Sequence, residues 1–513
     1  MNLRIGIVAA AALSAPLCVG AQAPAVTRAA GSITEADVRA RIGIIAHDSM
    51  GGRNTPSPGL TRTADYIARE FKRLGLKPGG DAGSYLMKYP IQQRRLLAAE
   101  SFVTFAGQSG QTVKLSFARD AALTGRGLPR AEGRALLTLV GGAGRLDSLP
   151  ATDLRGRLVL FVTDWNRADA PGRLQQISRA ASRAGALGLV AIVNSDSVFT
   201  ARYGGAGERL FEVAAGDRSG FFNIAVRESA IAAQVPEASA QFAALRGAAA
   251  ASAQPSPSFE GVISLRDTVV TEAFAPNVVG ILEGSDPVLR KEYLVYSAHM
   301  DHVGTAGQPG AGCRAVGADS ICNGADDDAS GTAGVLELAE AFAQRGARPK
   351  RSVVFLTVSG EEHGLWGSEW FVNNPPVPLP QIVANLNADM IGRNWSDTIV
   401  AIGKEHSDLG ATLNRVNRAH PELGMNAIDD RWPEQNFYAR SDHYNFARKG
   451  VPILFFFNGV HAEYHRPGDS VEKIDAEKEA RIVKLLFFLG QDVANAAKRP
   501  EWMPMSYKSI VTP

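Results

Sequence analysis

The chain has 513 residues, 45% hydrophobic and 21% charged, with a formal net charge of +2. That is enough for two or three domains of roughly 100 to 200 residues, with the apolar content to bury a sizeable core. The charge is spread without long basic blocks, so composition excludes proteins that grip nucleic acid or an anionic membrane through a basic face.

The chain opens with Arg4, an apolar run IGIVAAAALSAPLCVGA, and small residues at Val19, Gly20 and Ala21. This pattern predicts an export signal over 1–23, cut near Ala21 or Ala23. A retained anchor is the other reading, but the run is shorter than the ~20 residues that span a bilayer and contains Pro16. The residues before Cys18 fit a lipoprotein signal poorly. The mature chain is therefore expected to be exported, periplasmic or secreted, without a stable membrane anchor.

Two amphipathic helices should follow. Val38, Ile42 and Ile45 share one side of a helix over 35–47, and Ala64, Ile67, Phe71 and Leu74 recur at helical spacing up to Gly75. From about 110 to 258 the texture changes to short β-like runs at 135–140, 157–164 and 187–194, with a helical segment at 174–184 and no histidine. The stretch AAAASAQPSPS closes this region, which reads as a β-rich module inserted into the main domain. Its GGAG at 141–144 lacks the spacing of a dinucleotide loop.

Beyond the insert, apolar runs at 277–282, 293–298, 352–358, 381–389, 398–403 and 451–457 alternate with helical patterns at 332–344, from Trp366, at 407–418 and at 475–497. Such alternation implies an α/β fold with a mostly parallel central sheet flanked by helices, and ligands gather at the carboxyl ends of such strands. The domain organisation predicted is a signal at 1–23, the front of the main domain at 24–109, the insert at 110–258, and the bulk of the main domain at 259–513.

Ligand-type residues punctuate the ends of these runs. His299, Asp301 and His302 close one, the triplet Asp326 to Asp328 follows it, Glu361 and Glu362 close the next, and Asp389 and His465 follow later ones. Imidazole together with several carboxylates is the donor set of a hydrolytic zinc site; solvated acidic loops are the plainer reading of the aspartate triplet and the glutamate pair. Cys313 and Cys322 remain after signal removal. In an oxidising compartment a disulfide is favoured over free thiols or thiolate ligation. No G-x-S-x-G, H-E-x-x-H or C-x-x-C occurs, so serine-hydrolase, zincin and thioredoxin-like chemistries lack their residues.

In this order and spacing, HMDH, GADDDASG, SGEEHG, NADMIG and YHRPGDS resemble the dinuclear zinc aminopeptidase and glutamate carboxypeptidase family, the M28 metallopeptidases. The resemblance covers 33–105 and 260–497. DLRGRLVLFVTD followed by AGALGLVAIVN resembles the protease-associated domain that many members carry as an insertion.

The resemblance implies two zinc ions per chain. His299 and Asp389 would hold one, Glu362 and His465 the other, and Asp327 would bridge both with its two oxygens. Asp301 would accept the second N–H of His299, and Asp328 would be structural. Glu361 would be the general base, and Tyr464 a hydrogen-bond donor to the oxyanion or a packing residue. Ser441, Asp442 and His443 resemble a segment lining the site. His302 and His363, beside ligands, are not expected to bind metal.

The activity implied is that of a zinc exopeptidase, with an aminopeptidase acting on peptide or protein N-termini favoured. A carboxypeptidase of the same family needs basic residues for a C-terminal carboxylate, for which Arg393, Arg431 and Arg440 are candidates. A glutaminyl cyclase typically works with one zinc, and a catalytically inactive receptor-like binding protein would have lost ligands.

Overall fold

The computed structural model describes residues 24–106, 112–124, 132–144, 149, 151–204, 209–214, 221–308 and 310–511. The export signal expected over 1–23 lies outside the described residues. Among the described residues no helix is long and apolar enough to cross a membrane.

Two sheets organise the described residues, and their strands are counted among those residues alone. The larger has ten strands, and across it run Asn426–Ile428, Thr398–Ile402, Ile453–Phe456, Ile382–Ala388, Tyr293–His299, Ser352–Val358, Asp267–Leu282, Leu86–Leu96 and Arg209–Val213, with Lys77–Pro78 added beside Asp267–Leu282. The 293–299, 352–358, 382–388 and 453–456 strands are mutually parallel, and 398–402 is parallel to 426–428. The other neighbours are antiparallel, so the mostly parallel sheet expected from the sequence is corrected to a mixed one. The cause lies in the connections. Helices Gly331–Ala343 and Trp366–Asn373 carry the chain between the central strands, as parallel crossovers require, whereas 267–282 and 86–96 are two long strands that need none.

Alternating residues of the central strands face two apolar layers. Leu294, Tyr296 and Phe355 pack with Leu336, Phe342, Leu486 and Phe487 of helices Gly331–Ala343 and Ala476–Asn495. Val295, Val354 and Leu356 face Phe371 and Phe446 on the opposite side. Tyr296 stacks on Phe355 with centroids 6.0 Å apart. Each side chain so buried contributes roughly 1.5–3 kcal/mol, which makes the centre of the sheet a rigid platform.

The second sheet has eight strands, from Phe102–Ala106 to Ser252–Ser264. Its strands thus begin and end outside the 110–258 range, while Arg209–Val213 leaves it to pair with Leu86–Leu96 of the larger sheet. Leu158–Val162 and Gly188–Val193 are buried along their whole length, and Val103, Leu158, Ile192 and Ile224 belong to a separate apolar core. Cys313 and Cys322 form a disulfide in the loop between the 293–299 strand and the aspartate triplet.

Candidate metal centre

The three central parallel strands end level with one another, His299 lying opposite Val358 and Ser297 opposite Asn387. Their next residues therefore emerge at one edge. His299 closes the first strand, Glu361 and Glu362 follow the second, and Asp389 follows the third. Gly360, at φ +74, turns the chain toward this edge, where a Cβ would come within 2.6 Å of the Tyr89 hydroxyl and 2.9 Å of Trp366. Asp327 arrives from the irregular turn before helix Gly331–Ala343, and His465 from the loop after Ile453–Phe456.

These side chains meet in two groups that share Asp327. His299 Nε2 lies 3.3 Å from Asp327 Oδ1 and 3.6 Å from Asp389 Oδ1. His465 Nε2 lies 3.2 Å from Asp327 Oδ2 and 3.1 Å from Glu362 Oε1. Each oxygen of Asp327 thus serves a different group. His302, not expected to take part, joins the second: its Nδ1 is 3.0 Å from Glu362 Oε1 and 3.6 Å from Asp327 Oδ2.

The donor set fits zinc. Bonds of about 2.0–2.1 Å in tetrahedral array put neighbouring ligand atoms ~3.3–3.4 Å apart, and the separations here, from 3.0 to 3.6 Å, bracket that value. Asp327 Oδ2 and His465 Nε2 are buried without hydrogen-bond partners, and buried polar atoms are rarely left so without a reason. Burial pushes the Asp389 and Glu361 carboxyls up, against the pull of His299; for Glu361 the carboxylates of Glu362, Asp442 and Asp389 push further. Positive charge placed in the two groups would reverse that push and restore both carboxylates.

The three aspartates divide the support. Asp328 accepts from the backbone N–H of His299, Gly331 and Met390, pinning two strand ends to the helix. Asp326 Oδ1 accepts from Gly392 N at 2.7 Å. Asp301 meets His299 Nδ1 with its backbone carbonyl at 3.2 Å, and its carboxylate stands 3.6 Å from the same nitrogen. That carboxylate accepts from Thr55 Oγ1 at 2.9 Å, Gly360 N at 2.8 Å and Glu361 N at 3.3 Å, so it holds the turn that presents Glu361 and Glu362. Ser441 Oγ donates to Asp389 Oδ2 at 2.9 Å and itself receives Asn387 Nδ2 at 3.2 Å.

Tyr464 stacks on His465 at 3.8 Å, and burial, aided by the carboxylates of Asp327 and Glu362, raises its hydroxyl so that it keeps its proton. His443 Nε2–H donates to Tyr438 O at 2.7 Å and the ring stacks on Phe455, a packing role. His363 Nε2 meets Asn54 Oδ1 at 2.9 Å. His465 and Met390, the residue after Asp389, take φ of 57° and 55°, strained values that cluster at functional sites.

Sequence reasoning missed Arg53. It is fully buried and donates to the carbonyls of Met300, Ile45, Asn323 and Gly324, tying the two ligand-bearing loops together from below. Arginine in a glycine-rich turn gives no local signal of this, because its partners are remote in sequence.

Residues 277–489 match the sequence model of peptidase family M28. A probable zinc metalloprotease of Pyricularia oryzae is 27% identical over 43% of this chain and 50% of its own length. A probable leucine aminopeptidase of Trichophyton verrucosum is 26% identical over 43% and 58%. The chain thus spans about half the length of the curated relatives it matches. An aminopeptidase structure from Aneurinibacillus sp. strain AM-1 shares the fold with a TM-score of 0.51 at 18% identity, over 92% of this chain and 97% of that one.

Proposed function

From the match of residues 277–489 to the sequence model of peptidase family M28, we propose that the protein is an exported aminopeptidase that holds two zinc ions and removes residues from peptide or protein N-termini. The observation that carries this reading is the pair of ligand groups sharing Asp327, with Glu361 beside them. His299, Asp327 and Asp389 would hold one ion, and Asp327, Glu362 and His465 the other. When bound, the ions supply Lewis-acid polarisation and bring the pKa of water from about 15.7 toward 7.

The chain's own groups move the proton and position the substrate. Glu361 takes a proton from the attacking water at a carboxylate oxygen and returns it to the leaving amine nitrogen as the C–N bond breaks. Tyr464, which keeps its proton, donates its O–H to the carbonyl oxygen as charge develops there. The carboxylates around the centre suit an N-terminal ammonium. Of the basic residues a carboxypeptidase would use, Arg393 pairs with Glu463 at 3.0 Å through Nη2 while its Nη1 is buried without a hydrogen bond, and Arg431 and Arg440 lie over Trp395 and Phe437; the carboxypeptidase reading therefore stands as the alternative that the peptide panel decides.

The eight-stranded insert is read as a protease-associated module, on the two segments that resemble one. Export is supported by the disulfide, which persists in oxidising compartments. A panel of N-terminally free and N-terminally blocked peptides, with and without chelator, tests the activity. Chelator-sensitive cleavage of free N-termini alone is expected. Cleavage of blocked peptides from the carboxyl end, or no cleavage at all, would overturn it.

A further inference from the structure

Resting on the zinc-peptidase reading, we infer that His302 is itself a metal ligand: through Nδ1 it closes, with Asp327, Glu362 and His465, a four-residue shell around one cation, leaving the open position at the three-residue group of His299, Asp327 and Asp389.

The first support is convergence. His302, Asp327, Glu362 and His465 each offer one ligand atom, and the four atoms all lie within 4.8 Å of one another. His302 and His465 approach the same two oxygens, Glu362 Oε1 and Asp327 Oδ2. They come from different sides, with ring planes at 78° and centroids 5.5 Å apart. Two nitrogens and two oxygens within reach of one another supply four donors, the number that a closed zinc shell takes.

The second support is an unpartnered ring. His302 is fully buried, and neither ring nitrogen has a partner with hydrogen-bond geometry. The approach of Nδ1 to Glu362 Oε1 has the length of a hydrogen bond without its geometry. A buried imidazole aimed at carboxylates, and not bonded to them, is placed for a cation between them.

The third support is confinement. Gly324, at φ +58, lies against the ring face, where a Cβ would come within 2.6 Å of His302 Cγ and Cδ2. Below, His302 N donates to Arg53 O at 3.3 Å, while the Arg53 guanidinium holds Gly324 O at 2.9 Å. Ring and loop are locked to one anchor, so the nitrogen is presented in a fixed direction.

The two cations are then unequal. A four-ligand shell is the closed, tightly held kind, and a three-ligand shell keeps a place for water or substrate. Metal-free protein titrated with zinc against a competing chelator should show two separated affinities. His302→Ala should weaken the tighter by at least roughly 100-fold, the upper end of losses seen when groups merely supporting a ligand are removed. One equivalent of cobalt should give the intense visible absorption of a four-coordinate ion in wild type and a weaker, higher-coordinate spectrum in His302→Ala. His302→Gln, which keeps the volume, serves if the alanine variant does not fold. A weak cobalt spectrum in wild type overturns the closed shell without any variant. Wild-type protein that binds two cations, with variants of equal affinity and spectrum, overturns the role of His302 alone. Wild-type protein that takes up no cation overturns the zinc reading and His302 with it.

Discussion

Both sheets set polar residues at the carboxyl ends of buried parallel strands, yet among the described residues only the larger gathers groups that could hold a metal. In the insert, Asp164 follows Leu158–Val162 and Asn194 follows Gly188–Val193. There the polar groups satisfy one another. Asn194 Nδ2 donates to Asp164 Oδ1 at 3.1 Å, Asn194 Oδ1 accepts from Trp165 N at 3.0 Å, and Asn166 N donates to Asp164 Oδ1 at 3.1 Å. These bonds, that of Asn194 first, hold the Asp164 carboxyl below its ordinary range. In the larger sheet the equivalent edge leaves Asp327 Oδ2, His465 Nε2 and both nitrogens of His302 buried without hydrogen bonds. Strand-end topology offers a place for chemistry; denying those groups their internal partners reserves it for a ligand.

The contrast is broken most sharply at Asp327. Asp327→Ala should lose both cations and all activity above background, and two zinc per chain by elemental analysis would contradict the shared role. Glu361→Gln should keep its zinc and lower turnover by roughly 10²–10⁴-fold, the span of general acid–base catalysis; near-wild-type turnover would remove Glu361 as the base. Arg53→Met, which strands the carbonyls of Met300, Ile45, Asn323, Gly324 and Asp327 and a buried carboxylate cluster, should cost at least about 3 kcal/mol in urea unfolding. An unchanged midpoint would mean that the ligand loops are anchored elsewhere.

Two smaller effects sharpen the comparison. Burial pushes the His443 imidazole from 6.5 to about 3, so the folded protein refuses a proton that the unfolded chain accepts. Its contribution is complete above pH 6.5 and is lost as pH falls toward 3. His443→Phe should flatten the fall in urea midpoint between pH 7 and 4, and a slope like that of wild type would show that other groups govern it. Asp164→Ala should cost about 1 kcal/mol and leave zinc content and turnover alone. Loss of zinc in that variant would show that the insert's strand ends are not the inert counterpart proposed.

The centre of the fold was legible where the signal was local. Runs such as YLVYSA and SVVFLTV read as buried strands, and the helices between them made those strands parallel. The edges were not legible: the 86–96 strand carries Gln92, Gln93, Arg94 and Arg95 and shows no apolar run, and it forms a strand because 267–282 pairs with it along its length. Asp301 was legible as a supporting residue, but not that its carboxylate turns to Gly360 and Glu361, 59 and 60 positions away.

By itself the sequence determined which residues could ligate and that they stand at strand ends, because both follow from side-chain chemistry and from periodicities of a few residues. It also set the two cysteines in one short loop. The tertiary structure alone decided that Asp327 gives one oxygen to each group, that Arg53 binds Met300 O from 247 positions away, and that His302 turns inward while His363 meets Asn54. Those outcomes depend on which remote backbone atoms close over each side chain, and no local pattern encodes that.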